Sequence, residues 1–214
     1  MSTNIFDFWA DVSANAERHP ADAEVFRRLG VQSQAGVLPN PFFGPLKTAR
    51  VVLLYLSPGL RDDDRHLSML ETVQTYAQRQ RSGNAPLPSQ EDYEPTWNWW
   101  RKRVGQLQVE PAEMRERIAF LNICAYRSKT FDTPYLLSAL PSSRTALDWA
   151  QSVLFPEAER GDCVVVCLRA AAYWGLATGD HGKALFVPPV NRSGFMLHGE
   201  TRFRVVEAVK AAVG

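Results

Sequence analysis

Four short stretches of this chain carry residue types that could do chemistry. Leu54-Tyr-Leu-Ser-Pro-Gly-Leu60 ends an apolar run in a Ser-Pro-Gly turn. A strand, such a turn and then a helix bring backbone N–H groups and a helix N-terminus to one place. That suits an oxyanion, a phosphate or a positioned water, although an ordinary strand-to-helix turn reads the same way. Ser57 lacks the Gly-x-Ser-x-Gly elbow of a hydrolase nucleophile. In Ala119-Phe-Leu-Asn-Ile-Cys-Ala-Tyr-Arg127, Asn122 is a polar amide inside an apolar strand. A buried amide must be paired. It can offer one donor and one acceptor to a planar base edge, or it can pin a neighbouring loop. In Pro188 to His198, Phe195, Met196 and Leu197 form an apolar tip between Arg192 and Arg202. Such a tip wedges into a base stack while arginines hold phosphates, or it tucks into the core. Trp97-Asn-Trp-Trp-Arg-Lys-Arg103 interleaves aromatics with cations, as surfaces that stack bases do. A helix with tryptophans inward and cations outward has the same pattern.

These stretches need a scaffold, and the composition bounds it. A length of 214 residues points to one domain with an elaboration, and a net charge of +1 excludes a basic coat. Any nucleic-acid site must then be a local patch. Arginine outnumbers lysine 19 to 5, which fits phosphate recognition or a compositional bias. No apolar run reaches the 18 or so residues of a membrane helix. Met1 to Trp9 carries Asp7 and no basic residue, unlike a signal peptide. Cys124, Cys163 and Cys167 lie in apolar runs and read as reduced, buried thiols of a cytoplasmic protein. Cys163 and Cys167 flank three valines with no ligand cluster nearby, so neither a metal nor another cofactor is expected.

Hydrophobic pattern places the elements. Helices are expected over 4–19, Ala21 to Leu29, Asp62 to Arg81, Trp97 to Leu107, Ser142 to Leu154, Ala170 to Leu176 and Glu200 to Val213. Strands are expected over Arg50 to Leu56, Ile118 to Cys124, Cys163 to Leu168 and Ala184 to Val187. Asn40 to Pro45 reads as a loop and Ser82 to Pro95 as a long irregular excursion. The result is an α/β protein, a three-layer α/β/α sandwich on a short, mostly parallel four-stranded sheet. Residues 1–40 form an N-terminal helical elaboration and 41–214 the core. Ligands bind beyond the carboxyl ends of such strands. That rule selects Ser57 to Asp64, Cys124 to Phe131, Arg169 to Tyr173 and Pro188 to His198.

Taken together, these stretches resemble the uracil-DNA glycosylase superfamily. Val52-Leu-Leu-Tyr-Leu-Ser-Pro-Gly-Leu60 is similar to its first motif, nearest the Asn-Pro-Gly form of the mismatch-specific and single-strand-selective branches. Phe120-Leu-Asn-Ile-Cys-Ala-Tyr-Arg127 resembles the strand with the base-recognising Asn, which is then Asn122. Val164 to Leu176 resembles the later strand and helix. Pro188 to Phe195 with Arg202-Phe203 resembles the second motif and its intercalation loop, and Trp97 to Leu107 an aromatic helix after the first motif. The likeness spans about residues 40–214. Ser57 stands where the Asn-Pro-Gly branches place the water-positioning Asn, and Asp62 is the first acid downstream. Pro188-Pro189-Val190 stands where the family usually begins His-Pro-Ser or Asn-Pro-Ser. Both departures fall on transition-state contacts.

The resemblance implies a glycosylase-like fold that binds DNA, a nucleobase or a nucleotide, and hydrolysis of an N-glycosidic bond on a flipped base. Ser57 and Asp62 are then the candidate catalytic residues. Asn122 reads the base edge, Tyr55, Tyr126 or Phe131 stacks on it, and Pro58 and Gly59 lie beside it. Arg127, Lys129, Asn191, Arg192, Ser193, Phe195 and Arg202 contact nucleic acid. Two alternatives stay open: a non-catalytic binding module on the same fold, and an unrelated small-molecule enzyme using the turn at Ser57.

Overall fold

The long apolar runs become strands buried on both faces of a sheet. The computed structural model describes residues 4–31 and 36–214. Its strands are β1 (Phe42–Phe43), β2 (Val51–Tyr55), β3 (Ile118–Asn122), β4 (Val164–Cys167), β5 (Gly179–His181) and β6 (Leu185–Val187). They lie in the order β1-β3-β2-β4-β6-β5. The inner strands β3, β2, β4 and β6 run parallel, and every residue in them is buried. Burial on both faces is why they read as continuous rather than alternating apolar sequence. β1 and β5 pair antiparallel at the two edges. The expected four-stranded sheet is thus corrected to a six-stranded mixed sheet. The edge strands have two and three residues, too few to show a period, and β1 lies in the stretch that reads as a loop.

The helices are α1 (Ile5–Ala10), α2 (Pro20–Leu29), α3 (Asp64–Ser68), α4 (Glu71–Gln80), α5 (Gln90–Gly105), α6 (Leu136–Ala139), α7 (Pro141–Trp149), α8 (Phe155–Arg160), α9 (Ala171–Trp174) and α10 (Glu200–Val213). Strand alternation divides the core between them. Val52 and Leu54 pack with Ile5, Trp9, Phe26 and Trp149 from α1, α2 and α7. Val51, Leu53 and Tyr55 pack with Trp100 and Val104 of α5 and with Val205 and Val209 of α10. Helices therefore cover both faces of the sheet. No helix of the described residues is long and apolar enough to cross a membrane. All three cysteines are buried and unpaired. Burial pushes the Cys124 thiol up to about 11 and those of Cys163 and Cys167 up to about 12.

Several helix boundaries differ from the pattern for local reasons. The helix expected over 4–19 stops at Ala10, where Asp11, Ser13 and Asn15 bring side chains that compete for backbone groups. The expected Asp62 to Arg81 helix is two, α3 and α4, with the Gln74 side chain donating to the Ser68 carbonyl at 2.9 Å across the break. The excursion read over Ser82 to Pro95 already holds the first turn of α5. Ser89 and Asp92 form a reciprocal capping box there, and Pro95 removes only one bond near the helix start. α7 runs through a π-helical turn, Ala150–Leu154, into α8. That wide turn precedes Pro156, whose ring would crowd a regular helix. α10 matches its expected span, but Phe203 points outward and the buried stripe is Val205, Val206, Val209 and Val213.

The N-terminal segment is tied into the core by buried polar bonds. Asp22 is fully buried and accepts from the Tyr126 hydroxyl at 2.6 Å and from the Ser142 N–H at 3.0 Å. The second bond caps α7, so neither Ser142 nor Ser143 does so from its side chain. A carboxylate at a helix N-terminus also meets the positive end of the helix dipole. The Arg81 guanidinium donates to the carbonyls of Val12 and Ser13. The described part of the N-terminal helical elaboration, residues 4–31, is therefore locked to the sheet through α2 and α7. The reading of Met1 to Trp9 as unlike a signal peptide rests partly on residues 1–3, which lie outside the described residues.

Candidate functional site

The register of β1, β2 and β3 assembles a cavity at the carboxyl ends of the strands. Tyr55 pairs with Asn122, Leu53 with Phe120 and Phe43 with Phe120, so Phe43, Tyr55, Phe120 and Asn122 share one face. Phe43 and Phe120 stack at 4.5 Å between centroids, 8° from parallel. Trp99 of α5 closes on them, 5.2 Å from Phe120 and 5.7 Å from both Tyr55 and Phe43. These four rings wall a cavity of about 260 Å³ that Asn122 and the Ser57-Pro58-Gly59 turn also line. An aromatic wall with one buried amide suits a flat, polar-edged ring. Asn122 is 4% exposed, and its Nδ2 donates to the Asn40 carbonyl at 2.9 Å. It therefore pins the β1 loop and lines the cavity at once. The bond uses one amide hydrogen; the other, with Oδ1, forms the donor–acceptor pair that a base edge takes.

The Ser57 turn is held by the chain after β3. Leu60 N–H donates to the Ser128 carbonyl at 3.1 Å, and Ser128 N–H to the Pro58 carbonyl at 3.2 Å. α3 begins only at Asp64, so the turn does not abut a helix N-terminus as expected. Asp64 lines the cavity and is 4% exposed. Its Oδ2 accepts the Arg61 N–H at 2.6 Å and lies 3.6 Å from the Arg127 guanidinium.

A second hollow of about 210 Å³ adjoins the first, and the two share Tyr55, Ser57, Gly59 and Trp99. Arg103, Lys129, Arg169 and Ser193 line this groove. The Arg103 guanidinium lies between two rings, 5.2 Å from Trp99 and 4.4 Å from Phe195. Arg169 donates to the Arg192 carbonyl, which seats the 191–195 loop over the groove.

Of the residues singled out by sequence, Tyr55, Ser57, Pro58, Gly59, Asn122 and Arg127 meet in the cavity, and Lys129 and Ser193 in the groove. The rest need correction. Asp62 is exposed and paired with Lys129 at 2.6 Å, which holds its carboxyl below the usual range. It does not line the cavity; the buried acid there is Asp64. Tyr126 turns to the opposite face, edge-on to Phe26 at 4.9 Å and bonded to Asp22. Phe131 lines the groove, not the cavity. The apolar tip divides. Met196 is buried and its N–H donates to Gln106 Oε1, Phe195 is held under Arg103, and Leu197 is half exposed. Asn191 caps its own loop, accepting from the Ser193 and Phe195 N–H groups. Arg192 is exposed and Arg202 partly buried, neither lines either hollow, and Arg202 lies 3.4 Å from His198 Nδ1.

Sequence reasoning named Arg103 only within the stretch Trp97 to Arg103 and passed over Phe43, Phe120, Asp64 and Arg169 as individual site residues. Arg103 was findable, because it stands four residues after Trp99 and so on the same helical face. Arg169 opens a loop already selected by the strand-end rule. Nothing marks Phe43 until β1 pairs with β3. Among the described residues, no three His, Cys, Asp or Glu side chains group to hold a metal. The arrangement can seat an aromatic heterocycle, read its edge, and hold a water or sugar at Ser57, where cavity and groove meet. No protein-family model, curated protein or solved structure matches this chain.

Proposed function

We propose that this chain is a divergent uracil-DNA glycosylase-like protein that binds the base of a nucleotide or nucleic acid and hydrolyses its N-glycosidic bond. One observation carries the reading: the buried Asn122 amide, a four-ring aromatic wall and the Ser57 turn converge on one cavity at the carboxyl ends of β2 and β3. The base lies against the rings, Asn122 pairs with its edge, and the sugar sits at Ser57. Water held by Ser57 attacks the anomeric carbon and loses its proton to Asp64. The base departs with the electrons of the broken bond, its charge met by Asn122. The adjoining cationic groove favours a nucleotide or nucleic acid over an unrelated small molecule.

A second reading is binding without turnover, and one observation favours it. Asp64 Oδ2 already accepts the Arg61 N–H and lies 3.6 Å from Arg127, so that oxygen is committed within the chain. Labelled oligonucleotides carrying uracil, hypoxanthine, xanthine or a mismatched thymine, single- and double-stranded, separate the two. The expected result is abasic-site formation by the native chain. It falls more than about thirtyfold in Asn122→Ala, since losing a buried hydrogen-bond partner costs about 2 kcal/mol. Binding without abasic sites supports the second reading. Neither binding nor cleavage overturns both.

A further inference from the structure

Two buried donors at the groove beside the cavity lack a well-formed acceptor, and a third, Arg169, is bonded only to the Arg192 carbonyl. Tyr55 is 7% exposed, lines the groove, and its hydroxyl has no well-formed hydrogen bond within the chain, although the Arg103 guanidinium bears on it. Arg103 lines the same groove, and its buried Nε is likewise without a partner. Among the described residues, neither Arg103 nor Arg169 has a carboxylate within 4.0 Å. The other groove cation, Lys129, is paired with Asp62. No carboxylate lines the groove. Guanidinium groups and a neutral phenol are donors first. Buried donors without acceptors are costly unless a ligand supplies them.

We propose that Arg103, Arg169 and the Tyr55 hydroxyl form a phosphate site, which holds the phosphate attached to the nucleoside whose base enters the cavity. Two planar guanidinium forks match the oxygens of a tetrahedral anion. The stack of Arg103 between Trp99 and Phe195 fixes one fork in place. Burial holds the Tyr55 phenol well above its usual ionisation range, with Arg103 and Arg169 offsetting part of the shift, so it remains a donor at neutral pH. Cavity and groove share Ser57 and Gly59, which places the sugar between base and phosphate. The phosphate's attachment to a base rests on the function proposed above; the anion site itself does not.

Calorimetric titration of the full chain with inorganic phosphate tests the site, with chloride at matched ionic strength as control. Phosphate binding is expected, weakened about tenfold or more in Arg169→Gln and in Arg103→Gln, and severalfold in Tyr55→Phe. If Arg103→Gln misfolds, the other two variants decide. Absent phosphate binding, or equal affinity in Arg169→Gln and Tyr55→Phe, overturns the proposal. Further arms name the source. A deoxynucleoside monophosphate binding more tightly than its nucleoside, with the gain lost in Arg169→Gln, assigns a free nucleotide. A gain confined to a single-stranded trinucleotide, again lost in Arg169→Gln, assigns a backbone phosphodiester. Phosphate binding with no gain from any attached base keeps the anion site and removes the base-binding function.

Discussion

Tyr55 and Tyr126 are equally buried, each 7% exposed, and their surroundings are opposite. Tyr126 faces the α2 and α7 side, where its hydroxyl donates to Asp22 and accepts the His19 N–H at 3.1 Å. Asp22 spends its other oxygen on the Ser142 N–H. Both Asp22 oxygens and the Tyr126 hydroxyl are thus matched within the chain, which is what a structural tie requires. Tyr55 faces the α5 side, with an unpartnered hydroxyl beside an unpartnered Arg103 Nε. That region lies at the carboxyl end of a parallel sheet. A buried polar group whose partners belong to the chain marks structure; Tyr55 and Arg103 instead carry unmatched atoms that meet at one hollow. Burial and residue type are the same in both places; only the partner differs.

The largest test of this contrast is Asp22→Ala. It strands the Tyr126 hydroxyl and uncaps α7, and is expected to lower unfolding free energy by about 3 kcal/mol in urea. A loss under about 1 kcal/mol would break the idea that these bonds tie residues 4–31 to the sheet. The two tyrosines should next diverge under one chemical change. Tyr126→Phe leaves Asp22 short of a donor and is expected to cost about 1.5 kcal/mol. Tyr55→Phe removes a hydroxyl that meets Arg103 without a well-formed hydrogen bond, and is expected to change stability by less than about 1 kcal/mol. Equal losses would show that the Tyr55 hydroxyl is matched within the chain after all.

The smallest effect is in alkaline stability. Both phenols are raised above the ordinary tyrosine value of 10.0, each chiefly by burial. A raised folded-state value contributes stability that is present below pH 10 and lost as pH climbs above it. The Asp22 carboxylate adds to the rise at Tyr126, whereas Arg103 and Arg169 oppose it at Tyr55. Denaturant midpoints between pH 9 and 11 should therefore fall for the native chain, with the slope flattened alike by Tyr126→Phe and Tyr55→Phe, because both phenols keep their proton in the folded chain across that range.

Much of the scaffold was legible because it obeys local rules. The inner strands announce themselves through unbroken apolar runs, and α10 through its span. The strand-end rule then led to the loops that line the cavity, and Asn122 stood out as an amide no apolar strand needs. The corrected elements all turn on partners distant in sequence. β1 is two phenylalanines that become a strand only against β3. Asp62 and Asp64 differ by two positions, one exposed on Lys129 and the other inside the cavity, and nothing local ranks them. Tyr126 reads as a candidate to stack on a base until Asp22, 104 residues away, claims its hydroxyl.

The sequence by itself determined the alternation of strands and helices, the buried parallel centre and the end of the sheet where a ligand would bind. Those features follow from periodicity and chain direction, which each segment carries alone. Tertiary structure decided which polar groups are spent and which remain available. It placed Arg103 and Arg169 beside Tyr55 while Tyr126 closed on Asp22. Hydrogen-bond satisfaction is a property of pairs, and here the pairs are set by packing rather than by spacing along the chain.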